Sequence, residues 1–268
     1  MARVAIVAAC GLVAAPAALA HEFWVAPTDY APEAPGPATA SLKVGQMMKG
    51  TEIPYISDKV RHFTVTVGDV TRDGIGIDGD IPALSFRTSQ PGLHVVAYVA
   101  APERVTFDTF AEFADYLEYE GLSEIAAAHR ARGLAETAIG EAYSRYAKSL
   151  LQVGPVRDDG TGDVALGLDL ELVAERNPYA PDTIVLPVRL TWRGAPVGGR
   201  QVAVFRDNGE TVSRTLATTD ADGCAEIALD GEAGEYLLNA VHIEPSETDG
   251  VAWRSHWASL TFALPSSR

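Results

Sequence analysis

The chain has 268 residues, with 36 acidic side chains against 21 lysines and arginines and a formal net charge of −15. That length can bury a substantial core and suits two domains better than one. The acidic balance argues against nucleic acid and anionic membrane surfaces as partners, and two cysteines are too few for a thiolate metal cluster.

The first twenty residues carry the pattern of an export segment. Arg3 supplies the positive end, Val4 to Ala15 are uncharged, and Pro16 breaks the helix. Ala18 and Ala20 then offer the small side chains that a signal peptidase accepts. Residues 1–20 are therefore predicted to be a cleaved signal peptide, which places the mature protein in the periplasm. An uncleaved anchor is one alternative, although the apolar run is short for a span of ~20 residues. Lipidation at Cys10 in "VAAC" is another, although the apolar stretch continues past it. Cleavage after Ala20 leaves Cys224 as the one mature thiol and excludes an intramolecular disulfide.

The Pro-rich "APTDYAPEAPGP" of residues 26–37 reads as an extended crossing. Four strand-like runs follow, "ASLKVGQ", "VRHFTVTVGD", "PALSFRT" and "GLHVVAYVA", separated by Gly, Pro and Asp. From about 108 to 151 the periodicity turns helical. Phe110, Phe113, Ala114 and Leu117 share one face, Thr109 and Glu112 resemble a capping box, and Gly121 can close the helix. "SEIAAAHRARG" and "ETAIGEAYSRYAKSLL" are predicted to continue as further short helices.

Strand character returns at "VALGLDLELVAE", and the prolines of "RNPYAPD" read as an interdomain turn. Beyond Thr183, Ile184, Leu186, Val188, Leu190 and Trp192 alternate with polar residues, and "DNG" at Asp207 to Gly209 signals a hairpin with a type I′ turn. "TTDADGCAEIAL", "GEYLLNAVHI" and "HWASLTFAL" complete about seven strands. The expected architecture is mostly β, with two sandwich domains. The first covers 21–176 and carries the helical insertion; the second, over 180–268, is immunoglobulin-like by its strand spacing.

"HEFWVAP" directly after the export segment, "YSRYAKSLL", "LELVAERNPY", "RGAPVGGRQVAVF…TTDADGCAEI" and the closing "HWASLTF" occur in that order. This ordered set resembles a bacterial family of exported proteins, formally a domain of unknown function and commonly labelled a periplasmic component of nickel or cobalt uptake. The resemblance spans nearly the whole mature chain. It implies a two-domain β protein in the periplasm that handles a transition metal; the expected partners are the metal ion and a membrane metal transporter or, for a metal-free module, an outer-membrane receptor.

Cleavage after Ala20 would give His21 a free α-amino group of pKa about 8, which a metal readily deprotonates. That nitrogen and imidazole Nδ1 can close a six-membered chelate ring, and one further imidazole completes a T-shaped set suited to Cu(II) or Ni(II). Nickel or cobalt is the expected cofactor by resemblance, whereas nitrogen donors alone bind copper tightest. His242 in "NAVHI" and His256 in "RSHWASL" lie either side of a short connection, so antiparallel pairing would bring their rings together at one sheet end. His94, with the parity of Tyr98, is a further metal candidate, although the simpler reading is a half-buried sheet residue. His62 and His129 are expected at the surface, and Glu118 and Glu120 on a solvated helix face.

No G-x-S-x-G elbow, P-loop, H-E-x-x-H or dinucleotide fingerprint occurs, so an enzyme is not supported. The sequence thus predicts a metal-binding accessory to uptake. A metal-free β-sandwich interaction module is the alternative, and a copper-dependent oxidative enzyme using the terminal chelate is less favoured.

Overall fold

The computed structural model describes residues 22–156, 162–229 and 231–265; His21 and the predicted signal peptide lie outside them. In chain order the first strands are β1 (Glu22–Pro27), β2 (Gly36–Gln46), β3 (Lys49–Ile53), β4 (Val60–Val67) and β5 (Val70–Asp73). Next come β6 (Leu84–Thr88), β7 (Gly92–Ala100) and β8 (Glu103–Thr109), then helices α1 (Phe110–Tyr119) and α2 (Ser123–Ala131). They are followed by β9 (Thr137–Val153), β10 (Leu170–Ala174), β11 (Val185–Trp192), β12 (Ala195–Pro196) and β13 (Gln201–Asp207). The chain closes with β14 (Val212–Thr218), β15 (Cys224–Ala228), β16 (Gly234–Pro245) and β17 (Trp253–Leu264).

These strands form three sheets in sandwich-like layers. The central sheet has nine strands in the order β14-β13-β16-β17-β9-β7-β4-β5, with β8 sharing one edge of β9 with β7. A first covering sheet is built around β2, with β1 on one edge and β3 and β6 on the other. A second is built around β11, with β10 on one edge and β12 and β15 on the other.

Period-two alternation along β9 shows how the layers separate. Tyr146 and Leu150 join Leu172, Leu186, Val188 and Leu190 of the β11 sheet, while Ala147 and Leu151 join Phe23, Val25 and Leu42 of the β2 sheet. Beside the β2 sheet, on the same face, α1 and α2 bury Phe113, Leu117 and Ile125 against Ile139, Val241, Trp253 and Trp257. No helix among the described residues is long and apolar enough to cross a membrane.

The mostly β expectation agrees with this architecture, but helix over 136–151 does not. "ETAIGEAYSRYAKSLL" forms β9, the longest strand described, and the helical part of the insertion ends at Ala131. Its apolar residues recur at helix-compatible intervals because a strand buried on both faces need not alternate. Parallel pairing with β17 on one edge and antiparallel pairing with β8 and β7 on the other decide the outcome. The predicted boundary near 176–180 accordingly falls between strands that meet in one sheet, since β9 precedes it and β17 follows it.

Local signals fared better. Thr109 caps α1, its Oγ1 accepting the Glu112 N–H at 3.3 Å, while the Glu112 carboxylate takes the N–H of Asp108 rather than that of Thr109. Gly121 follows with φ +70. Thr109→Ala is expected to cost about 1 kcal/mol, read as a lowered urea midpoint at unchanged slope. The "DNG" segment does turn a hairpin, but with Asp207 opposite Val212 the loop spans four residues. Tight two-residue turns lie elsewhere, one of them at Met47 and Met48, which take φ values of +53 and +56 between Gln46 and Lys49.

Candidate functional site

Of the predicted metal residues, His242 and His256 are brought together. They are direct cross-strand partners on β16 and β17, with ring centroids 6.4 Å apart. Trp192, at the end of β11, packs 4.9 Å from the first ring and 4.2 Å from the second. Tyr146 Oη lies 3.3 Å from His256 Nδ1, and Glu244 Oε1 lies 3.5 Å from His256 Nε2. Burial lowers the pKa of both imidazoles, that of His256 to about 4 despite the opposing pull of Glu244, so the pair is neutral at pH 7.

His94 does not belong with them. It sits opposite Leu151 of β9 whereas His256 sits opposite Ser144, a separation of roughly 23 Å at 3.3 Å per residue. It also faces the β2 sheet, fully buried, with Nδ1 3.2 Å from the Gly92 carbonyl and burial lowering its pKa. His129, expected at the surface, is fully buried as well: Trp253 Nε1–H donates to its Nδ1 at 3.0 Å, and its Nε2 lies 2.9 Å from the Ala135 carbonyl. Helix α2 turns that face onto Trp253, which makes His129 a packing residue.

His21 lies outside the described residues, but the chain that follows it is well placed. β1 is buried throughout and stacks on the face of β9 and β17 opposite the histidine pair. Thr261 Oγ1–H donates to the Val25 carbonyl at 2.7 Å, and Trp24 packs on Ala203, Phe205 and Leu237. Packed sheets lie about 10 Å apart, so the start of β1 and the His242–His256 pair are on opposite sides of a closed layer. A single ion held by His94 together with His242 and His256 does not fit this arrangement.

At the start of β1 the structure brings together residues the sequence did not single out. Glu22 is 2% exposed; its Oε1 is 3.4 Å from the Tyr119 hydroxyl, and its Oε2 has no hydrogen-bond partner among the described residues. Glu120, expected on a solvated face, is buried at the C-terminal end of α1, 3.4 Å from Asn239 Nδ2. Burial, reinforced by the Glu22 carboxylate and only partly offset by Arg214, pushes its pKa up to about 8. Glu141 on β9 accepts from Ser255 Oγ and, at 3.4 Å, from the Tyr116 hydroxyl, and burial raises it to about 7. Its Oε2, Asn239 Oδ1 and Ser259 Oγ are also buried without partners among the described residues. Arg214, stacked 4.2 Å over Tyr119, lowers the pKa of both Glu22 and Glu120 by its charge, against the larger effect of burial.

Among the described residues no three His, Cys, Asp or Glu side chains are close enough to hold one ion. The buried carboxylates can therefore supply part of a cation site, but not a whole one.

The architecture defines a mostly β protein of layered sheets with a short helical cover. The chain belongs to the family described as Domain of unknown function (DUF4198), which matches residues 18–244. No curated protein matches it. One solved structure, of a tetra-tandem repeat in the extending region of a large adhesion protein, is similar at 16% identity with a TM-score of 0.23. That match covers 91% of this chain and 49% of the other, so this chain spans about half its length.

Proposed function

We propose that the protein is a periplasmic transition-metal-binding accessory to metal uptake, acting on nickel or cobalt, with a site at the amino terminus created by cleavage after Ala20. The observation that carries this reading is the burial of Glu22, one residue past the cleavage point, with an unpartnered carboxylate oxygen beside Glu120. Chain ends are ordinarily loose and solvated. Here β1 is clamped into the core, and a buried acid pair waits one peptide bond from His21.

The α-amino and imidazole nitrogens of His21 would then be completed by a carboxylate oxygen of Glu22 or Glu120, in place of the imidazole expected from sequence. A divalent cation offsets the burial cost of those carboxylates, and its binding would release protons from them. Mixed nitrogen and oxygen donors are acceptable to nickel and cobalt, while copper remains the tightest binder in vitro. The immunoglobulin-like reading of the C-terminal half belongs to this proposal as a scaffold for β1.

Intact mass of exported protein, followed by calorimetric nickel titration of the same sample, tests the proposal. A terminus at His21 with one metal per chain is expected. His21→Ala, or one glycine added before His21, should weaken binding at least 100-fold, and Glu120→Gln about tenfold. Another terminus, or unchanged affinity in both terminal variants, overturns it.

A metal-free interaction module is the second reading. It is favoured by Ile75, Ile77 and Ile81, which leave 57%, 63% and 56% of their surface exposed on one loop.

A further inference from the structure

We infer that the face of the central sheet opposite the helices carries a binding site for a small organic anion bearing two or more carboxylate or phosphate groups. The β11 sheet covers only part of this face. Where it stops, the even-numbered residues of β9 and β17 floor an open cavity of about 550 Å³, walled by the β11–β12 turn and Asp169. Four arginines line it, Arg61, Arg104, Arg193 and Arg254, in a chain where acids outnumber bases 36 to 21. A volume of this size is typical of small-ligand sites.

Among the described residues these arginines form no ion pair with the acids of the cavity, although Arg254 lies opposite Glu244 across β16 and β17. Arg61, Arg104 and Arg254 have no ion-pair or hydrogen-bond partner among the described residues. Of the three acids lining the cavity, Glu103 is held by Lys59, Tyr143 and Arg145, and Asp169 accepts from the Tyr146 hydroxyl at 3.4 Å. Glu244 lies 3.5 Å from His256 Nε2, a contact too long for a good hydrogen bond. That nitrogen is itself buried and unpartnered, at the inner wall of the cavity.

Two backbone irregularities place guanidinium groups here. Arg61 is the extra residue of a β-bulge, since Val60 opposes Ala100 while His62 opposes Val99. Bulges re-aim side chains and collect beside functional sites. Arg193 takes φ +49 at the first position of the two-residue β11–β12 turn, and its guanidinium stacks 4.4 Å over Trp192. A non-glycine residue in that region is costly and persists where its surroundings impose it. Arginine's planar fork suits bidentate contact with carboxylate or phosphate oxygens, and several such forks around one cavity match a ligand with more than one anionic group.

Calorimetric titration of metal-free protein with citrate and, separately, with inorganic pyrophosphate tests this site. Saturable binding below roughly 1 mM is expected for at least one probe, and which one binds identifies the anionic group. Arg104→Ala and Arg254→Ala should each weaken that binding at least tenfold while leaving the unfolding midpoint within a degree or two. Full affinity should persist in His21→Ala, which separates this site from the amino-terminal metal site. No saturation by either probe at about 10 mM, affinity unchanged from the parent in both arginine variants, or loss of binding in His21→Ala would each overturn the inference.

Discussion

Lys148→Met is expected to destabilise the protein by about 3–5 kcal/mol, lowering the melting temperature by roughly 6–20 °C for a chain of this size. Lys148 is 1% exposed on β9, with Nζ 2.6 Å from Asp163 Oδ2, 2.9 Å from Glu171 Oε1 and 3.0 Å from the Val164 carbonyl. Glu171 in turn accepts the N–H groups of Leu166, Gly167 and Leu168 at 2.8, 2.9 and 3.2 Å. One ammonium thus ties the connection before β10 to the central sheet. Methionine fills the same volume but leaves two buried carboxylates without a cation.

The penalty should also depend on pH. Burial raises Asp163 to about 6 even with the ammonium beside it, and losing that ammonium raises it further. A carboxyl whose folded pKa is raised contributes stability that is present below its unfolded value and lost as pH rises through the folded one. The gap between variant and parent therefore narrows from pH 8 to pH 5, and adding Asp163→Asn to Lys148→Met restores part of it at pH 8. Urea unfolding at both pH values checks this, and a gap that is constant with pH contradicts it.

Glu120→Gln is expected to act in the opposite direction. In metal-free protein Glu120 and Glu141 titrate at about 8 and about 7, both raised by burial from the ordinary carboxylate value near 4.5. By the same sign, these two carboxyls contribute stability that is lost as pH rises from about 5 towards 8. Glutamine cannot ionise, so the variant should melt higher than the parent at pH 8, by about 2–4 kcal/mol, and nearly level with it at pH 5. Parallel melting curves for the two proteins across that range would show that Glu120 does not ionise in a buried place.

Much of the fold is legible in the sequence. The Thr109 cap, the alternation of Leu186, Val188 and Leu190, and the cross-strand meeting of His242 with His256 all follow from local spacing. The failures share a cause. Residues 137–153 lose their strand signature because sheets and helices cover both faces, and Glu120 and His129 look like surface residues on helices whose solvent side is set by distant strands. Glu141 was hidden twice, by the wrong element and by a partner, Ser255, 114 positions away. Two acidic positions interleaved with tyrosines, "YLEYE", are a local hint that a carboxylate there is covered by aromatic neighbours.

β17 occupies the middle of the largest sheet, between β16 and β9, and it is the last strand among the described residues. Before it is made, β9 and β16 have no shared neighbour, and the helices lack Trp253 and Trp257, on which they pack. Pairing β17 with β9 sets Trp253 opposite Glu141, 112 positions away, so a long loop must close before the central pairing can form. Synthesis from the amino terminus thus leaves the central sheet in two unjoined parts, one built on β16 and one on β9, until β17 is made. Trimming the final dozen residues would be expected to remove the keystone of the sheet rather than fray its end.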